Sequence, residues 1–318
     1  MPVDAAALRR RCAEEMDAAP RGFGNAAWLR DAFLTVPREH FAPARVWWPS
    51  PREDGLHSLI DQAERPNAWL EAVYSTGAPL ITQMDDGRVQ PTGPAKGYFS
   101  SSISSSGVII ELLRHLAPRP GERVLELGTG TGYTTALLAT RTGPGTAVSI
   151  EVDPAIAAQA RRNLDGLGLD PLVITGDGEQ GHQAAGPYDR IVAIASVRRI
   201  PRAWLEQLRP GGVLLAPLDS PFGCDLLVRL TGAAAQPPGG TSWRRSSSCA
   251  SAARARPVPT RSWDGPRPPA LSAGRSFRSR QGFVASRSLT PPRRDPPRGE
   301  PERRAPPHNV QAPVRPRR

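Results

Sequence analysis

The sequence predicts an α/β fold, a parallel sheet covered by helices on both faces, preceded by a helical segment and followed by a disordered tail. Three observations predict it. Between residues 104 and 230 short apolar runs alternate with helix-length amphipathic stretches, the pattern of βαβ units. The first apolar run ends in Gly128-Thr129-Gly130-Thr131-Gly132 directly before a helix. After Leu230 the apolar periodicity stops, and Arg, Pro and Ser dominate.

Residues 1–103 are expected to form a helical and loop-rich segment on the substrate side. Stretches 5–16 and 26–34 carry apolar residues at helical spacing, and Pro37 and Pro43 then punctuate the chain. Residues 47–97 are rich in Pro, Gly and Asp and read as loops, with one short helix at 68–74 and one strand at 80–83. Residues 104–230 are expected to form the second domain. It opens with a helix whose apolar face is Val108, Ile109, Leu112, Leu113 and Leu116, stopped by Pro118 and Pro120. Strands then fall at 124–127, 147–152, 172–175, 190–195, 213–217 and 226–230, with helices at 133–140, 154–167 and 203–207. Apolar strands of this kind are buried on both faces, which implies a parallel sheet.

Residues 231–318 hold 16 of the 36 prolines and 18 arginines against four acids, so the tail carries +14 of a total charge of +11 and the first 230 residues are mildly acidic at −3. Such a composition cannot bury enough apolar surface to offset its ordering entropy. One origin is a natural basic tail that binds an acidic partner or, non-specifically, nucleic acid. The other, which we favour, is out-of-frame translation, because the change falls midway through a domain whose sixth strand still needs a neighbour. Three scattered cysteines (Cys12, Cys224, Cys249) fit a reducing compartment, and five distant histidines indicate no metal site. Arg9-Arg10-Arg11 is not followed by an apolar signal-peptide core, and no run approaches the roughly 18 apolar residues of a membrane span, so a soluble, cytoplasmic protein without a membrane partner is expected.

Glycines at the 128–132 turn let a ligand approach the backbone where side chains would collide, and the following helix offers free N–H groups. Glu151, at the end of the second strand, lies 23 residues after Gly128, where such folds hold ribose hydroxyls. Dinucleotides and S-adenosylmethionine share that acid, so spacing alone leaves a dehydrogenase and a methyltransferase open. The Gly-x-Gly-x-Gly form, with Glu126 two residues before it, favours the methyltransferase, because Tyr133 occupies the place a third dinucleotide glycine would need.

Four later blocks narrow this further: Gly176-Asp177-Gly178-Glu179-Gln180-Gly181; Tyr188-Asp189-Arg190-Ile191-Val192; Ile200-Pro201 with Trp204-Leu205 and Gln207-Leu208; and Pro210-Gly211-Gly212-Val213-Leu214-Leu215-Ala216-Pro217. With Val36-Pro37-Arg38-Glu39-His40-Phe41 and Ser102-Ile103-Ser104 upstream, the chain resembles the protein-L-isoaspartate O-methyltransferases over about residues 30–48 and 100–220. The resemblance implies a Rossmann-like methyltransferase sheet and S-adenosyl-L-methionine as cofactor. It implies that Glu126, Gly128, Thr129, Gly130 and Gly132 line the methionine and ribose end, that Glu151 holds the ribose, and that Asp177 with Gly178 meets the adenine. Ser102 and Ser104 would approach the substrate carboxylate as the catalytic loop.

The chain also departs from that family. The Gln and Thr expected before Ile-Ser are serines here, a loop of some twenty residues separates them from Ala78-Pro79-Leu80-Ile81, and Arg198-Arg199 follow the fourth strand where two cations could grip an acidic peptide. Two substrates therefore compete: isoaspartyl sites in aged protein, to be repaired, or an aspartyl residue of a ribosomally made, modified peptide of the lanthipeptide or ATP-grasp-cyclised kind. The altered loop favours the second. The chemistry needs no general base, because a carboxyl group with a pKa near 4 is already ionised at pH 7. An alternative from another class is an inactive methyltransferase-like binding protein that works through its basic tail.

Overall fold

The computed structural model describes residues 3–20, 22–219, 226–232 and 244–245. Its centre is a seven-stranded sheet made of β5 (Val124–Leu127), β6 (Ala147–Glu151), β7 (Leu172–Thr175), β8 (Tyr188–Ala193), β9 (Leu208–Leu218), β10 (Leu226–Thr231) and β11 (Arg244–Arg245), in the order β11-β10-β9-β8-β5-β6-β7. The five strands β9, β8, β5, β6 and β7 run parallel, and β10 is antiparallel to β9. The reading as an α/β Rossmann-like sheet is borne out. Every residue of β5 and β6 is buried, as expected of central strands covered on both faces, whereas edge strand β7 leaves Leu172 exposed.

The helices begin and end where local chemistry dictates. In α7 (Pro154–Asp165) the Asp153 carboxylate accepts from the N–H groups of Ala155 and Ile156, and Pro154 takes the first position, whose N–H would be unpaired in any case. Helix α5 (Ser106–Leu116) stops at Ala117, in the left-handed region at φ 50°, immediately before Pro118. Helix α6 (Tyr133–Thr142) starts from Gly132 at φ 93°. The first helices, α1 (Ala5–Ala18) and α2 (Ala27–Thr35), share a core with α5 and α6 through Cys12, Leu29, Phe33, Leu113 and Leu137.

The expected loops between residues 47 and 97 are corrected by the structure. After the short helix α3 (Arg38–Phe41), strands β1 (Arg45–Pro51), β2 (His57–Asp61), β3 (Leu80–Met84) and β4 (Phe99–Ile103) form a second, antiparallel sheet in the order β2-β1-β3-β4, with α4 (Pro66–Val73) between β2 and β3. Two features hide it in the sequence. Strand β1 contains Pro49 and Pro51, normally strand breakers, and its pairing with β2 is interrupted between Trp47 and Pro51. Strand β4 reads Phe-Ser-Ser-Ser-Ile, and its serines are held by side-chain partners: Thr82 Oγ1 donates to Ser101 Oγ at 3.1 Å, and Ser100 Oγ donates to Gln83 Oε1 at 2.8 Å.

Strand β10 is not left bare along its whole outer edge, because Leu230 and Thr231 pair with Arg245 and Arg244. The disordered tail expected over residues 231–318 otherwise lies outside the described residues. No helix among the described residues is long and apolar enough to cross a membrane.

Candidate functional site

In a parallel sheet, all the loops that follow the strand C-termini open on one edge, where ligands of such folds bind. Here that edge collects the Gly128–Gly132 turn after β5, Glu151 at the end of β6, Gly176-Asp177-Gly178 after β7, and the residues after β8. The register brings them level, since Leu127 lies opposite both Ile150 and Ala193 while Glu151 lies opposite Thr175.

Gly128 takes φ 96° and Gly132 φ 93°, values L side chains rarely adopt. Gly128 N–H and Thr129 N–H donate to the Ile150 carbonyl at 2.9 and 3.3 Å, which fixes the turn to β6. A second anchor comes from α7, where Asn163 Nδ2 donates to the Thr131 carbonyl at 2.9 Å. The Glu151 carboxylate closes the turn from the other side. Its Oε2 accepts from Gly130 N–H at 2.9 Å and its Oε1 from Asp153 N–H at 3.1 Å. Burial raises the Glu151 pKa, and these N–H donors oppose that rise.

Glu126, expected at the methionine and ribose end of the cofactor, sits on the fully buried strand β5. It has no exposed surface, and its Oε2 accepts from Ser149 Oγ at 2.7 Å and from Thr135 Oγ1, while Thr129 Oγ1 and Ser149 Oγ share a further hydrogen bond of 2.6 Å. Its Oε1 is buried without a partner among the described residues. Burial pushes this carboxyl up to about 7 against the two hydroxyl donors. Glu126 thus braces the turn from beneath, tying β5, β6 and α6 together.

Asp177 is exposed and caps a short 3-10 turn by accepting from Glu179 N–H at 2.9 Å, while Gly178 is buried, its carbonyl taking the Trp204 Nε1–H at 2.8 Å. A side chain at Gly178 would meet Leu127 at 3.4 Å. Beside Glu151, Val152 is 46% exposed, an apolar surface at the rim of the same edge.

The serines of the expected substrate loop come to the same place. The Ser102 carbonyl oxygen lies 3.8 Å from where a Cβ on Gly130 would stand, so the end of β4 crosses the glycine turn. Ser102 and Ser104 are both half-buried. The Ser104 carbonyl accepts from Arg38 Nη2 at 2.7 Å. Arg198 and Arg199 lie beyond β8 and are 71% and 79% exposed; Arg198 faces Asp219 at 3.9 Å and Arg199 faces Glu179 at 3.6 Å, contacts worth little to stability.

Several contributors escaped the sequence reading. Arg38, Gln83, Thr135, Ser149 and Asn163 reach the site from elements far apart in the chain, and nothing in their local spacing marks them. A signal was present for Arg38 alone, since the Val36-to-Phe41 block was singled out. The structure explains the block: Glu39 binds Arg9 at 2.7 Å and accepts from the Tyr74 hydroxyl, the His40 ring meets the Asn163 carbonyl at 2.7 Å, and Phe41 packs edge-on to Tyr133 at 5.7 Å.

Comparison with known proteins agrees with this geometry. Residues 78–230 match the family model described as protein-L-isoaspartate(D-aspartate) O-methyltransferase. A protein-L-isoaspartate O-methyltransferase from Methylorubrum populi is 41% identical over 175 residues, 54% of this chain and 81% of that protein. One from Ignicoccus hospitalis is 37% identical over 131 residues, 41% of this chain and 62% of the relative. Four further relatives of the same description are spanned over only 47% to 58% of their lengths. Among solved structures, a beta-aspartate methyltransferase from Plasmodium falciparum in complex with S-adenosyl-L-homocysteine superposes with a TM-score of 0.50 at 16% identity, over 75% of this chain and 94% of that one, a likeness of fold.

Proposed function

Because the chain belongs to the protein-L-isoaspartate O-methyltransferase family, we propose that it transfers a methyl group from S-adenosyl-L-methionine to the side-chain or isoaspartyl carboxylate of a protein or peptide. The observation that carries the reading is the crossing of the Ser102 carbonyl over Gly130, which sets a donor-side turn and an acceptor-side loop against each other. The cofactor supplies an electrophilic methyl group on a sulfonium. The residues present fit it: Gly128 and Gly130 keep the turn free of side chains, Gly132 lets it pack against Leu164 and Ala160 of α7, and Glu151 offers a carboxylate that suits a ribose diol. Asp177 and buried Gly178 form the adenine end, and the exposed side chain of Val152 gives that end an apolar surface.

This chain's own residues then have three tasks. The turn holds the donor, with Glu126 keeping it rigid through Thr135 and Ser149. The Ser102-to-Ser104 loop orients an acceptor that is already ionised, so no proton has to be removed. The crossing of β4 over the turn keeps water out, and rate enhancement comes from alignment and desolvation.

The acceptor in this proposal is an aspartyl-type residue of a modified peptide. Support comes from the serine-rich β4, which replaces the Gln and Thr expected before Ile-Ser, and from the exposed Arg198 and Arg199, suited to acidic neighbours of the methylated residue. Labelled S-adenosylmethionine is offered with a linear isoaspartyl peptide, its aspartyl twin and a cyclised acidic peptide, and base-labile methyl ester is counted. Ester on the cyclised peptide in excess of the isoaspartyl peptide is expected; fast methylation of the linear isoaspartyl peptide instead assigns the chain to repair, and ester on none of them sinks the enzyme reading.

A further inference from the structure

Arg38 is 1% exposed, and its guanidinium has no carboxylate partner among the described residues. Glu39, its neighbour in the chain, is engaged by Arg9 and the Tyr74 hydroxyl. Arg38 Nε donates to the Val73 carbonyl at 2.8 Å, at the end of α4, and Nη2 donates to the Ser104 carbonyl at 2.7 Å. The guanidinium carbon lies 5.0 Å from the ring centre of Tyr133, the first residue of α6 and the next after the glycine turn. Nη1 and the hydroxyls of Tyr133 and Ser106 are buried, Arg38 facing the Tyr133 hydroxyl and Ser106 the Cys12 thiol.

Burying a cation against carbonyls and a ring face alone is costly, because its hydration is lost without an opposite charge to replace it. Burial accordingly lowers its pKa. Anchoring the loop does not need this residue, since Gly107 N–H already donates to the Thr76 carbonyl at 3.1 Å and ties α5 to the segment after α4. What Gly107 does not reach is the cofactor helix. Arg38 alone among these contacts touches the substrate loop and the first residue of α6 together.

We propose that Arg38 is a positioning residue that couples the two halves of the site, setting the Ser104 carbonyl according to the position of Tyr133, so that occupancy of the glycine turn orders the loop that receives the acceptor. The inference rests on the function proposed above. A planar guanidinium serves two carbonyls and a ring face at once; the single ammonium of a lysine cannot keep that fork.

Two measurements on the full chain test it. In wild-type protein, S-adenosylhomocysteine should slow amide exchange at residues 104–108 and also at 73–76, which lie at the far end of the Arg38 contact. In Arg38→Lys, S-adenosylhomocysteine affinity should stay within about threefold while KM for the acceptor peptide rises by about tenfold or more and the protection at 104–108 is lost. Equal losses in cofactor affinity and peptide KM, or unchanged values of both, overturn the proposal. If Arg38→Lys does not fold, the wild-type exchange decides, and absence of protection at 73–76 overturns it. Wild-type protein that shows no thermal shift with S-adenosylhomocysteine fails earlier, at the function reading itself.

Discussion

The two sides of the cleft are held together in opposite ways. On the cofactor side the glycine turn is fixed mainly by its own neighbours in the sheet, through backbone bonds from Gly128 and Thr129 to Ile150 and through Glu126 and Glu151 at the ends of the strands that flank it. On the substrate side, β4 pairs with β3, and what braces it and the loop after it against the rest of the site is side chains reaching across long stretches of sequence: Arg38 to Ser104, Thr82 to Ser101, and Gln83 from Ser100 to Asp153. A backbone-built turn tolerates little change and gives an all-or-none effect when altered. A side-chain-braced loop can be loosened by degrees, which suits the part of the site that chooses among substrates.

The sharpest break in this comparison is Gly128→Val. At φ 96° a β-branched residue is strained by roughly 1–3 kcal/mol, and its side chain would enter the space next to Ala195, where a Cβ already stands 3.8 Å from the backbone nitrogen. We expect S-adenosylhomocysteine to cause no thermal shift in this variant although the fold persists by circular dichroism. A normal shift would mean that the turn is not where the cofactor sits.

Glu151→Gln comes next. The amide oxygen can still accept from Gly130 N–H, so the bond that closes the turn is kept, while the charge facing the ribose and the longer bond from Asp153 N–H are lost. Loss of one charged hydrogen-bond acceptor corresponds to about 10-fold to 100-fold weaker cofactor binding. Titration calorimetry checks it, and a loss of stability larger than the loss of affinity would reassign Glu151 to a purely structural part.

The same contrast explains what the sequence disclosed. Strands β5 and β7 fall on the expected residues, 124–127 and 172–175, because each is a short, mainly apolar run that ends at a glycine. The glycine turn and Glu151 were legible for a related reason, their spacing being set by a single βαβ unit. The second sheet was not legible: three consecutive serines and two prolines carry the wrong propensity, and strand formation there depends on Gln83 and Thr82, some 17 to 19 residues away. Spacing does not reveal that Thr135 and Ser149 hold the Glu126 carboxyl.

Glu126 gives the third test, through pH. Its folded pKa, about 7, lies above the ordinary value of 4.5, so the folded state holds the proton more tightly than the unfolded chain does. The stability that this proton confers is therefore complete below pH 4.5 and is lost as pH rises through 7, a change of up to about 3 kcal/mol. Glu126→Gln, which cannot ionise, should lack this term. The difference in unfolding free energy between wild type and variant, followed by denaturant titration from pH 4.5 to 8, should move in favour of the variant as pH rises; a flat difference would falsify the raised carboxyl.

The smallest effect is expected at Gln83, a side chain that joins the antiparallel sheet to the segment beside Glu151. Its Nε2 donates to Asp153 Oδ2 at 2.9 Å while its Oε1 accepts from Ser100 Oγ at 2.8 Å. Gln83→Ala removes both, but Asp153 still caps α7 through Ala155 and Ile156, and Ser100 Oγ still accepts from Asp86 N–H. Stability should fall by only about 1 kcal/mol. If the substrate side is braced by side chains as argued, peptide KM should rise a few-fold with cofactor affinity unchanged. Gln83→Glu sharpens the test, because it sets a carboxylate where a donor faced Asp153, and like charges at that distance push the sheet away from the β6 end. A larger KM effect from Glu than from Ala, again without change in cofactor affinity, is the outcome that separates a brace between the two halves from a bond that merely happens to be there.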